Sequence, residues 1–170
     1  MSETIALSLA NAELRSAGDL DLWLRTSDGT PAEHAGELSL RLAEFGDLRA
    51  CLRELLAAAA EGGPLPADAL ERLNDVSARI PRIARLEGGE VTQVPIGAGP
   101  APLVLALIAW SAMNVLGGPD RERIRRCGAC GRFFVATRPD RVWCSDRCGN
   151  RIRVARHHAR LQSPSYPVRR

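Results

Sequence analysis

Along the first 120 residues the apolar positions recur mostly with helical spacing. Residues 19–25 predict a short helix that ends at the turn Thr26-Ser27-Asp28-Gly29. Within 38–60, Phe45, Leu48, Cys51, Leu52, Leu55 and Leu56 fall three and four apart, the signature of an amphipathic helix. Gly62-Gly63-Pro64 stops it. A further helix is expected from about Pro66, with Leu70, Leu73 and Val76 on one stripe. Residues 81–87 and 90–97 partly alternate and meet at Gly88-Gly89, which predicts a hairpin. Pro100 and Pro102 open an apolar helix that Gly117-Gly118-Pro119 closes. Its apolar run, 101–116, is shorter than the ~20 residues of a membrane span and contains Ser111 and Asn114. It therefore predicts a buried core helix. Cys51 sits on the apolar stripe and predicts a small core residue.

Beyond residue 120 the pattern gives way to charge. All 23 basic residues are arginine, against 20 acids. Residues 1–120 carry 9 Arg and 17 acids, a net of −8, whereas 121–170 carry 14 Arg and 3 acids, a net of +11. The expected organisation is an acidic α+β domain over 1–120, mainly helical with one small hairpin, a basic segment over 121–162, and a flexible tail over 163–170. The first residues, Met-Ser-Glu-Thr-Ile-Ala-Leu, lack the basic start and apolar stretch of a signal peptide, which predicts a cytoplasmic chain with reduced thiols.

Four of the five cysteines lie close together, as Cys127-x2-Cys130, thirteen residues, then Cys144-x3-Cys148. Two close thiol pairs suit tetrahedral zinc, each clamping one edge of the tetrahedron. With every position filled by sulfur, the expected cofactor is a single structural Zn2+, and no position remains for a substrate. Gly128 and Gly131 permit the tight turn of a zinc knuckle. Residues 132–136 then predict a strand, 137–140 a turn, 141–143 a return strand, and Ser145 a cap for a helix over about 146–161. Knuckle, hairpin and helix together make a treble-clef-like finger.

On a helical wheel Cys148, Ile152, Ala155 and Ala159 share one narrow face, expected to pack toward the zinc. Arg153, Arg156, His157 and Arg160 project opposite, with Arg147, Arg151 and His158 on a flank. Four thiolates and zinc together lower the segment's charge from +11 to +9, still a strong field. Arginine pairs with phosphate in bidentate fashion and reaches guanine in the major groove, so Arg132, Arg147, Arg151, Arg153, Arg156 and Arg160 are the candidate contacts to nucleic acid. Phe133, Phe134 and Trp143 are expected in the finger's small core, which favours duplex DNA over single strands. The alternative is a zinc-stabilised module for an acidic protein partner, the chain's own acidic half included, or for RNA. His34, His157 and His158 show no pairing with a nucleophile, so no catalytic residue is expected.

Cys148-Gly149-Asn150-Arg151 spells the signature of the CGNR zinc-finger family, and Cys127-x2-Cys130-Gly131-Arg132-Phe133-Phe134 with Trp143-Cys144-Ser145 also resembles it. Leu7-Ser8-Leu9-Ala10-Asn11 and Asp19-Leu20-Asp21-Leu22-Trp23-Leu24 are similar to the ABATE domain that precedes this finger, with Ser8 where an acid is usual. The resemblance implies Cys127, Cys130, Cys144 and Cys148 as zinc ligands and a DNA-binding regulator of transcription under stress. A homodimer is expected, because one small finger reads few bases. A small-molecule effector near Asn11, Arg15 or Trp23 is open, as is a structural or DNA-facing role for Asn150. No membrane contact is expected.

Overall fold

The computed structural model describes residues 3–97 and 99–162, so the expected tail over 163–170 lies outside the described residues. Thr4 starts the first helix, α1 (Ile5–Asn11), by accepting from the Leu7 N–H. Ser16 caps α2 (Ala17–Thr26) through the Asp19 N–H, and Asp19 lies in the first turn, where the helix dipole favours an acid. The long amphipathic helix begins later than its periodicity suggests. Residues 35–41 form a short helix, α3 (Ala35–Leu38), and a tight 3-10 turn, and α4 covers Leu42–Ala60. Ser39 donates to the Gly36 carbonyl, a local bond that competes with helix continuation, and this bend buries Leu38 completely.

Helix α5 (Ala67–Ala78) packs on α4, and α6 (Pro100–Gly117) packs on α1, α4 and α5. By length and composition α6 would suffice to cross a bilayer, but Val104, Leu105, Ile108 and Ala109 lie at the centre of the core. Cys51 is buried there as expected, its thiol donating to the Ala69 carbonyl. Between α5 and α6, strands β1 (Arg82–Glu87) and β2 (Glu90–Pro95) pair antiparallel around Gly88 and Gly89, both at positive φ.

The finger supplies a second ribbon, β3 (Ile124–Arg126) with β4 (Phe133–Val135), and the last helix, α7 (Asp146–Gln162). Its strand pairing differs from the expected one. The partner of β4 precedes the knuckle, and 141–143 form no strand. Burial explains the choice: Ile124 is fully buried and Phe133 nearly so, and both join the main core formed by α1, α2, α4 and α6. A return strand over 141–143 would have offered only exposed Val142 and half-buried Trp143. The finger's ribbon is thus built into the acidic body.

Candidate metal centre and nucleic-acid interface

The knuckle is the loop at the tip of the β3–β4 ribbon. The Cys127 N–H donates to the Arg132 carbonyl and the Gly131 N–H to the Cys127 carbonyl, with Gly131 at φ +74°. That left-handed turn is where glycine is needed. Cys144 and Cys148 arrive from the entry of α7, where the Ser145 hydroxyl accepts from the Cys148 N–H as the expected cap. The Sγ atoms of Cys127, Cys130, Cys144 and Cys148 all lie within 4.8 Å of one another. Cys130 Sγ is 3.5 Å from Cys144 Sγ, which is 3.7 Å from Cys148 Sγ. A zinc tetrahedron with Zn–S of about 2.3 Å has sulfur–sulfur edges of roughly 3.8 Å, so spacing and soft donor chemistry both fit one structural zinc.

The thiols' protonation points the same way. Burial opposes charge on Cys127, but backbone N–H groups, those of Ala129 and Cys130 among them, outweigh it and bring its pKa down to about 6. Burial, reinforced by the crowding sulfurs, pushes Cys144 up to about 12, and burial also raises Cys130. Without a cation, charge on one sulfur opposes charge on its crowded neighbours; a divalent ion removes that conflict.

Trp143 holds the two cysteine pairs together. A Cβ on Gly128 would lie 3.3 Å from one edge of its ring, and a Cβ on Gly149 would lie 3.1 Å from another. Gly149, an unfavourable residue inside a helix, is therefore explained by the close approach of the indole. Arg141 does the work that the missing strand would have done. It donates to the Trp143 and Cys144 carbonyls and to the Thr137 hydroxyl, with its guanidinium 5.9 Å from the Phe134 ring centre.

The candidate arginines fall into two groups. Arg132 forms a two-oxygen ion pair with Glu3, Arg151 donates to the Ala129 carbonyl across the knuckle, and Arg153 donates to Asn150 Oδ1. Arg147, Arg156 and Arg160 are exposed, with no ion pair or side-chain hydrogen bond among the described residues. The expected inward face of α7 is only partly inward. Cys148, Gly149 and Ile152 are covered, but Ala155 and Ala159 are exposed, as is every residue over 153–161. The helix outruns the body, so its residues from 153 to 161 lie exposed.

Asn11 takes a structural role. Its side-chain amide accepts from the Phe133 N–H at 2.8 Å and donates to the Phe133 carbonyl at 2.9 Å, pairing with β4 as a neighbouring strand would, and it also donates to Glu3. Ser8, at the position where an acid was expected, accepts from the Trp23 indole N–H and sits against Ser27. A cleft of about 500 Å³ opens between α1 and the finger, lined by residues including Leu7, Phe134, Arg132 and Arg141. Asn11, Arg15 and Trp23 line no part of it. The Glu3, Asn11 and Arg141 contacts went unseen in the sequence, where only an arginine near a Cys-Ser pair and a lone polar residue ending an apolar stretch could have hinted at them.

No curated protein matches the chain closely enough to count as a relative. A family model described as "Putative stress-induced transcription regulator", ABATE, matches residues 3–119, and the model of the CGNR zinc finger matches 123–161. With the four sulfurs gathered as that finger requires, the chain belongs to the ABATE family and carries a CGNR zinc finger after its helical domain.

Proposed function

We propose that the protein is a cytoplasmic regulator of transcription that binds duplex DNA through α7. The observation that carries this reading is the exposure of the outer part of that helix. Over 153–161 every residue is exposed, five of the nine being Arg or His, at 153, 156, 157, 158 and 160, with no acid after Asp146. Nine helical residues make a rod about 13 Å long, on the scale of the roughly 12 Å major groove. The described ion pairs between the acidic and basic halves are Glu3–Arg132 and Asp120–Arg123, and neither involves α7. This speaks against self-masking of the helix by the acidic body. A metal site closed by four sulfurs supports a structural rather than catalytic role.

The test is a binding titration of the full-length, zinc-loaded chain on duplex DNA at several salt concentrations. About five phosphate contacts give a slope of log affinity against log salt near −4 to −5. Arg156→Ala with Arg160→Ala should shrink that slope by about two while leaving zinc content unchanged. A flat salt response refutes the reading, and structured RNA that outcompetes duplex DNA redirects it to RNA.

A further inference from the structure

The β1–β2 ribbon stands apart from everything the finger does. Every β1 residue is exposed, and the segment carries Ile83, Leu86, Val91 and Ile96, four large apolar side chains at 45–74% exposure. Its attachments to the body are few: Arg82 lies over the Trp110 ring at 4.1 Å, the Ile96 N–H donates to the Pro81 carbonyl, and Ile80 packs with Ala106 and Trp110. A lone two-stranded ribbon is marginal in water, and an uncovered apolar edge invites pairing.

The register says which groups are free. Glu87 faces Glu90 across a two-glycine turn with φ +60° and +90°, which makes it the hydrogen-bonded closing pair of a type I′ turn. Alternation along an antiparallel ladder then directs the backbone N–H and C=O of Leu86, Ala84 and Arg82 to the outer edge of β1. Strand β2 is the less complete edge: its outward backbone groups belong to Val91, Gln93 and Pro95, and Pro95 has no N–H to offer.

We propose that the outer edge of β1 is a homodimer interface, in which β1 pairs antiparallel with β1 of a second copy to make a four-stranded sheet. An isologous contact needs a strand complementary to its own reverse. With the two-fold axis at Leu86, each Leu86 faces its counterpart, and each Arg85 stands opposite the partner's Glu87. Leu86 is then a hydrogen-bonded pair using the free edge groups, and Arg85 and Glu87 occupy flanking non-hydrogen-bonded pairs, where side chains approach closest. In the single chain Arg85 already reaches Glu87 at 3.8 Å, so both charges lie on one face. No other register along β1 that keeps the faces matched joins opposite charges on both sides of the axis. The surface is independent of α7 and of whether the protein binds DNA.

The experiment is sedimentation of the full-length, zinc-loaded protein without nucleic acid, across micromolar concentrations up to about 100 μM. The expected result is a concentration-dependent dimer. Leu86→Pro removes an edge N–H and should give a monomer whose helical circular dichroism and melting temperature are unchanged, since the ribbon lies outside the main core. Arg85→Glu and Glu87→Arg should each weaken association about tenfold, and the two combined should restore it. A wild-type monomer throughout, a dimer indifferent to Leu86→Pro, or a double charge reversal that fails to recover would each overturn the proposal. None of these outcomes bears on the DNA reading.

Discussion

At the scale of single residues, contacts too close for a side chain decide what the finger tolerates. Helix propensity alone says that Gly149→Ala should stabilise α7 by about 1 kcal/mol. The indole of Trp143 reverses the sign: the new Cβ would sit 3.1 Å from it, and Gly128 backs the ring elsewhere, so it cannot retreat. Gly149→Ala should lower stability by about 1 kcal/mol and weaken zinc binding. Trp143→Leu should abolish that penalty, giving a non-additive double-mutant cycle in thermal melts. The clamp at Asn11 makes a second case. Asn11→Ala strands the Phe133 N–H and C=O in a half-buried place and should cost about 1–3 kcal/mol, with faster hydrogen exchange at the Phe133 amide. Asn11→Asp should not rescue it, because a carboxylate cannot donate to the Phe133 carbonyl and adds charge beside Glu3.

At the scale of elements, legibility tracked length. Helices α4 and α5 were readable because their apolar positions repeat over enough turns, and α2, α6 and the β1–β2 ribbon because turn residues mark their ends. Helix α1, seven residues long, and three-residue β3 and β4 offer no repeat to read. Ile124 lay inside an arginine run that reads as charge, and the pairing of β4 across the knuckle depended on burial that no local pattern shows. The metal ligands were fully legible because thiol spacing is itself the chemistry. The protonation of those thiols sets a pH dependence whose sign is fixed. Zinc-bound sulfurs hold no protons, whereas Cys130 and Cys144, raised by burial, keep theirs at neutral pH in the metal-free fold. Zinc uptake must expel both, so apparent affinity should rise by at least about two powers of ten per pH unit near pH 7. Below about pH 6, where Cys127 also takes a proton, the dependence should steepen. Competition with a chromophoric chelator over pH 5.5–8 measures this, and an affinity flat with pH would contradict the four-thiolate assignment.

At the scale of the whole molecule, the decisive feature is that charge and core divide the chain at different places. The electrostatic boundary falls near residue 120, but Ile124 and Phe133 beyond it are packed in the same core as Leu9, Leu24 and Phe45. Arg49 and Arg53 of α4 strengthen that joint by donating to the Ala12 and Ala10 carbonyls at the end of α1, and Arg53 also approaches the Phe133 ring at 5.4 Å. Two consequences can be separated by experiment. Removing zinc should loosen the knuckle and α7, whose order depends on the sulfurs, while the ribbon stays in place with the body. Chelation should therefore reduce helical circular dichroism by about the share contributed by α7 and leave a cooperative transition for the rest. Phe133→Ala should act on both halves at once, because the cavity it leaves lies in the shared core, at a cost of about 3–5 kcal/mol. In differential scanning calorimetry with zinc present, that variant should show a single transition moved to lower temperature. If the finger were instead an independent unit, the same substitution would leave the melting of the helical body where it was, and the joint drawn through Asn11, Arg53 and Phe133 would carry no stability.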